Sequence, residues 1–145
     1  MTAAENPAVR RSLKDRAMDH IDHAIGRPVW PLRASYRNHF AVEVDSDLAA
    51  DFEASEHWTK GRVSGGMAFY HVTDAGRRAL AVYLDGLDDD QRRRAFVVTF
   101  DGHPRIVPAK TRASARYSEW LTISDSWSEL TFAEFMKRST VRLAP

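Results

Sequence analysis

Apolar positions along the chain change period several times, and each change marks an element. From Arg11 to Ile25, Leu13, Ala17, Ile21 and the Ala24–Ile25 pair recur at helical spacing with Met18 beside them. That pattern predicts a helix, which Ser12 can cap. Gly26 followed by Pro28 is a stop signal, and 28–31 is a linker around Val29 and Trp30. A short helix is expected near Ser35–Phe40, bearing Tyr36 and Phe40. Asp45-Ser46-Asp47 offers an N-cap to the next helix, whose apolar face is Leu48, Phe52 and Trp58.

The period then shortens. Arg62-Val63 and Met67–Val72 flank Ser64-Gly65-Gly66, a hairpin signal. Thr73-Asp74-Ala75-Gly76 opens a helix with apolar positions at Leu80, Val82, Tyr83 and Leu84, and Gly86 ends it. Asp88-Asp89-Asp90 and Arg92-Arg93-Arg94 form a charged connector. Phe96–Phe100 and Arg105–Val107 read as strands around an Asp101-Gly102 turn. Thr111/Arg112 to Ile123 is helical, with Ala115, Trp120 and Leu121 as core candidates. Asp125–Glu129 is a loop. Leu130-Thr131-Phe132 starts a helix with Phe132, Phe135 and Met136 on one face, and Thr131 with Glu134 makes a capping box. Val141–Leu143 is a short closing strand. The order α-α-α-β-β-α, then β-β-α-α(-β), predicts an α+β chain of two modules, 9–86 and 95–143, the second of ββαα type.

Thr59–Leu84 resembles the wing and following helix of winged-helix proteins, particularly MarR/PadR-like transcription regulators. The resemblance rests on Ser64-Gly65-Gly66 and on Phe69-Tyr70-His71-Val72-Thr73-Asp74-Ala75-Gly76-Arg77-Arg78-Ala79-Leu80. The overall layout is also similar to that of small phage and prophage proteins. The winged-helix resemblance implies a winged-helix-like first module, transcription regulation and DNA as partner. It also implies a recognition helix before the hairpin, at Asp47–His57. That segment carries Asp47, Asp51, Glu53 and Glu56 and no Lys or Arg. Acidic groups are unfavourable in a groove walled by phosphates.

Composition narrows the chemistry. The 145 residues include no Cys, which excludes disulfides, thiolate zinc sites and a cysteine nucleophile. Lys+Arg total 21 against 20 Asp+Glu, so no uniformly basic coat exists. Seventeen of the basic residues are Arg, a usage that suits forked phosphate contacts and that a GC-rich coding sequence also produces. The N-terminus has no apolar segment behind basic residues, so no signal peptide is expected, and the first residues are expected to be loosely ordered. No stretch is long enough to span a bilayer, so a cytoplasmic location and no membrane association are expected.

The most chemistry-like string is Asp19-His20-Ile21-Asp22-His23. His20 and His23 share a helical face and suit a divalent metal, but the string offers no third ligand and reads as a polar helix face. His39 and His71 are surface candidates of general-base type. No nucleophile elbow or phosphate loop is present. The expectation is a non-enzymatic protein without metal, cofactor or catalytic residues.

The candidate phosphate contacts are Arg33, Arg37, Lys60 and Arg62 around the wing, and Arg105, Lys110, Arg112, Arg116 and Tyr117 in the second module. Charge splits the same way. Residues 1–86 hold 11 Lys+Arg and 12 Asp+Glu, while residues 87–145 hold 10 and 8. Arg112 and Arg116 lie four apart on one helical face beside Tyr117, a cationic stripe suited to a nucleic-acid backbone. The alternative is a protein-interaction module or phage-type inhibitor that binds a host protein. Asp47, Asp51, Glu53 and Glu56 would meet a basic partner, and Trp127, in a polar loop, would mark an interface.

Overall fold

Five helices and six strands form among residues 12–145, the part of the chain that the computed structural model describes. The fold is α+β, and the chain divides into two units, Met1–Gly86 and Leu87–Pro145. The expected module 95–143 lies inside the second unit. Residues 9–11 of the expected module 9–86, with Arg11 of the first helix, lie outside the described residues.

The first unit runs α1 (Arg16–Ala24), β1 (Phe40–Glu43), α2 (Asp47–Glu53), β2 (Trp58–Ser64), β3 (Met67–Val72), α3 (Asp74–Asp85). Its antiparallel sheet has the order β1-β3-β2. Asp15, not Ser12, caps α1, its carboxylate accepting the Met18 N–H at 3.0 Å. The helix expected at 35–40 does not form; Phe40 opens β1 instead. The physical reason lies in Asn38. Its Oδ1 accepts the Val72 N–H at 2.7 Å and its Nδ2 donates to the Val72 carbonyl at 3.0 Å. This side chain pairs with the end of β3 as a strand neighbour would, and it holds the segment extended.

The core joins Ile21, Ala24 and Ile25 of the first helical segment to Tyr70, Val72 and Leu80. Phe52 of α2 stacks on Trp58 with ring centroids 4.0 Å apart. Trp58 therefore packs with α2 as expected, but from the first position of β2. Val82, expected on an apolar face, is exposed.

The Thr73–Leu80 signature has a local explanation. The Thr73 hydroxyl accepts the Gly76 N–H and donates to the Glu56 carbonyl. Gly76 lies against the preceding hairpin so closely that a β-carbon would come within 2.7 Å of the His57 carbonyl. The Arg77 guanidinium donates to the carbonyls of Pro31 and Arg33 and to Ser35 Oγ, which fixes the loop before β1. Thr73 and Arg77 thus close backbone groups that would otherwise be left open, and Gly76 permits the close approach to the His57 carbonyl.

The second unit runs β4 (Arg94–Phe100), β5 (His103–Ala109), α4 (Arg112–Ser124), α5 (Phe132–Arg138), β6 (Ser139–Leu143), with sheet order β5-β4-β6. Asp101 and Gly102 both take positive φ, at 50° and 82°, as a two-residue turn between paired Phe100 and His103 requires. Phe96, Val98, Val107, Ala109, Ala115, Leu130 and Phe135 form the core. Leu121 is not part of it. It is 46% exposed, because the inward face of α4 is set by Ala115 and Glu119. Met136 also faces outward, and Leu130 is buried ahead of α5, whose cap is Thr131.

Candidate nucleic-acid interface

The register of the second hairpin decides which cations meet. Counting back from the Asp101-Gly102 turn, Arg94 pairs with Ala109. This brings the end of the charged connector beside Lys110 and the start of α4. Arg94, Lys110 and Arg112, with Phe96, Thr111 and Leu143, line a cavity of about 350 Å3. None of its lining residues is acidic. The helix that opens here has no acid in its first turn. Thr111 Oγ1 accepts the Ser114 N–H at 3.0 Å, and the other first-turn amides add their partial positive charge to the two cations. None of the three basic side chains pairs with a carboxylate among the described residues. Arg94 was not among the residues that the sequence pattern singled out; the hairpin count is the signal that finds it.

The other cations of the expected stripe are committed within the unit. Arg105 reaches from β5 to the buried Glu119 of α4, Nε to Oε2 at 3.2 Å. Arg116 donates from Nε to Ser139 Oγ at 3.1 Å and from Nη2 to the carbonyls of Ser139 and Met136, tying α4 to the start of β6. Arg112 and Arg116 share a helix, but Arg116 is turned to the protein. Tyr117 is half exposed and packs against Trp120 and Phe132.

The first unit disperses its candidates. Lys60 pairs with Glu53 at 2.9 Å, so one expected phosphate contact neutralises one expected partner-binding acid. The hydrogen bond from Lys60 holds the Glu53 carboxyl below its usual value. Arg37 donates to the carbonyls of Ala24 and His39, closing the exit of the first helical segment. Arg33 lies over Trp30 and Arg62 over Phe69, with guanidinium-to-centroid distances of 4.2 and 5.0 Å. Asp47, Asp51 and Glu56 are exposed. Trp127 is 38% exposed and packs through Arg138. That guanidinium also covers Phe100 and bonds the Asp101 carboxylate, which it holds below its usual value.

The two histidines of α1 meet aromatic rings. His20 stands edge-on to Phe40 and Phe52, and His23 edge-on to Phe40. The flanking acids turn inward instead, where Arg27 Nη1 bridges Asp19 and Asp22 at 2.8 Å each. Among the described residues no group of three or more His, Asp or Glu side chains is placed to hold a metal ion. A cleft of about 250 Å3 between α1 and α2 is walled by His20, Asp51, His57 and the Phe52–Trp58 stack. No helix among the described residues is long and apolar enough to cross a membrane.

No protein-family model matches the chain, and neither the curated proteins nor the solved structures give a match.

Proposed function

We propose that the protein binds DNA through the phosphate backbone, without catalysis, at the cleft formed by Arg94, Lys110 and Arg112. One observation carries this reading: three unpaired cations converge at the positive end of α4, where no acid offsets them. A cation at a helix N-terminus costs about 0.3–1 kcal/mol. A bound phosphate would turn that repulsion into attraction and would receive the free amides of the first turn. Arg62 and Arg33, exposed in the first unit, are secondary candidate contacts. The acidic helix α2 stays outside this reading, and transcription regulation follows only if binding is sequence-selective.

The test is binding of a labelled duplex by fluorescence anisotropy across a salt series. Each phosphate contact contributes about 0.9 to the slope of log affinity against log salt, so the Arg94→Ala/Lys110→Ala/Arg112→Ala variant should lower it by about 2.7. No binding by the wild type at low salt, or an unchanged slope in the triple variant, refutes the site. A basic protein partner is the competing reading, favoured by the exposed Asp47, Asp51 and Glu56. Reversing Asp51 and Glu56 to Lys would abolish capture of such a partner and leave DNA affinity intact.

A further inference from the structure

The outer face of the first sheet carries a second group of cations and imidazoles. From the side-chain alternation on β3, Phe69 and His71 face away from the core that buries Ala68, Tyr70 and Val72. His39, immediately before β1, joins them. On β2 the register slips between Lys60 and Val63. Such a bulge re-aims a side chain, and here it places the Arg62 guanidinium 5.0 Å from the centre of the Phe69 ring. Together His39, Arg62, Phe69 and His71 line a cavity of about 460 Å3. None of the four is acidic. The nearest carboxylate along this face of the pair β1–β3 is Glu43, opposite Met67 and two positions beyond Phe69.

The polar groups are held in place. His71 Nδ1 lies 2.7 Å from the Asn38 carbonyl, which can only accept, so Nδ1 carries the hydrogen. Asn38 is itself fixed by its two bonds to Val72. The other ring nitrogen lies against Gly61, where a β-carbon would come within 2.5 Å of it. Glycine at the bulge leaves room for that ring. Arg37, whose Nη2 donates to the His39 carbonyl at 3.1 Å and lies 3.5 Å from the His39 ring nitrogen, adds positive charge behind the cavity.

From this juxtaposition of a guanidinium stacked on an aromatic ring, two imidazoles and no lining carboxylate, we infer that the outer face of the first sheet binds a nucleotide, with the base on the Arg62–Phe69 stack and the phosphate toward His39 and His71. The stack supplies a flat π surface that accepts any base. The Arg62 guanidinium and, behind the cavity, Arg37 supply positive charge toward the phosphate, and the imidazoles, in their imidazolium form, would donate to it. A phosphate alone would use only the second set, and a nucleoside only the first, so the ligand that fits both carries both.

The test follows the imidazole and Phe69 ring resonances of the full chain by NMR, titrated separately with adenosine 5′-monophosphate, adenosine and inorganic phosphate. The nucleotide should shift His39, His71 and Phe69 saturably and bind at least about tenfold more tightly than either fragment. Arg62→Ala, an exposed position on the wing, should weaken nucleotide binding by about tenfold. Phe69→Leu should weaken the nucleotide and leave phosphate unchanged. Equal affinity for nucleotide and phosphate, with no effect of Phe69→Leu, overturns the proposal in favour of a plain anion site. So does the absence of shifts at millimolar nucleotide, or shifts confined to the Arg94–Lys110–Arg112 cleft.

Discussion

Replacing Arg27 by alanine probes how the first unit is held together at its most polar point. Arg27 Nη1 donates to Asp19 Oδ1 and Asp22 Oδ2. Asp22 is 0% exposed and Asp19 7%, while the Arg27 side chain is 31% exposed. Removing the cation leaves two carboxylates in a low-dielectric setting, although Asp19 keeps the Leu13 N–H at 3.1 Å. Breaking a buried pair by removing one partner costs about 3–5 kcal/mol, and solvent access to this guanidinium places the loss near the lower end, about 3 kcal/mol. With a urea m-value of about 2 kcal/mol/M, the unfolding midpoint should fall by about 1.5 M. The assay is urea unfolding of the full chain followed by tryptophan fluorescence, with far-UV circular dichroism as a second probe. Adding Asp19→Asn and Asp22→Asn to Arg27→Ala should recover much of the loss, because neutral amides are far cheaper to bury than carboxylates deprived of Arg27. A midpoint shift under about 0.3 M, or no recovery in the triple variant, would refute the reasoning.

Other outcomes follow from single contacts. Gly76→Ala should destabilise by about 1–3 kcal/mol in thermal unfolding, since its β-carbon meets backbone, whereas Gly86→Ala, whose nearest neighbours lie at 3.6 Å or more, should be close to neutral. Arg116→Ala should cost about 1–2 kcal/mol of stability while leaving the salt slope of DNA binding unchanged, because its donors serve Ser139 and Met136. His23 is held below its ordinary value by burial and then by the nearby cations Arg27 and Arg37. The unfolded chain therefore takes up that proton at the higher pH; the stability tied to neutral His23 is present above about pH 6.5 and declines as pH falls below it. A melting series from neutral to mildly acidic pH should show the decline, and His23→Gln should reduce it.

Much of the fold was legible because local chemistry and global packing agree. Ser46, Thr73, Thr111 and Thr131 cap their helices as their positions suggest, and both glycine-containing turns close hairpins. The first strand was not legible. Phe40–Glu43 is only four residues long, and its extended entry depends on Asn38 reaching Val72, a contact 34 positions away. The helix expected there has reasonable local pattern, and a long-range polar contact overrides it. Leu121 and Val82 show the converse limit. Periodicity locates a helical face, but only packing decides which side of a broad apolar stripe turns inward.

The candidate site depended on the same distinction between pattern and pairing. A stripe of Arg105, Lys110, Arg112 and Arg116 looks uniform in sequence, yet a cation can meet a ligand only if the protein has not already used its donors. Arg105 lies against Glu119 and Arg116 against Ser139, and Lys60 is held by Glu53. The counts of 21 basic and 20 acidic residues set the near-neutral total, and these ties decide which cations stay available on the surface. What matters is the residue of that pairing: Arg94, Lys110 and Arg112 in one unit, and Arg62 with two imidazoles in the other. Neither set contains an acid. Uncompensated like charge is destabilising, and gathering it around a cavity is hard to account for by folding alone. An anion would relieve that repulsion among Arg94, Lys110 and Arg112, and would compensate the Arg62 guanidinium at the other cavity. The two sites differ in what lies beside the charge, a helix terminus in one and a stacked aromatic in the other. The first therefore suits a backbone phosphate, and the second a nucleotide with its base.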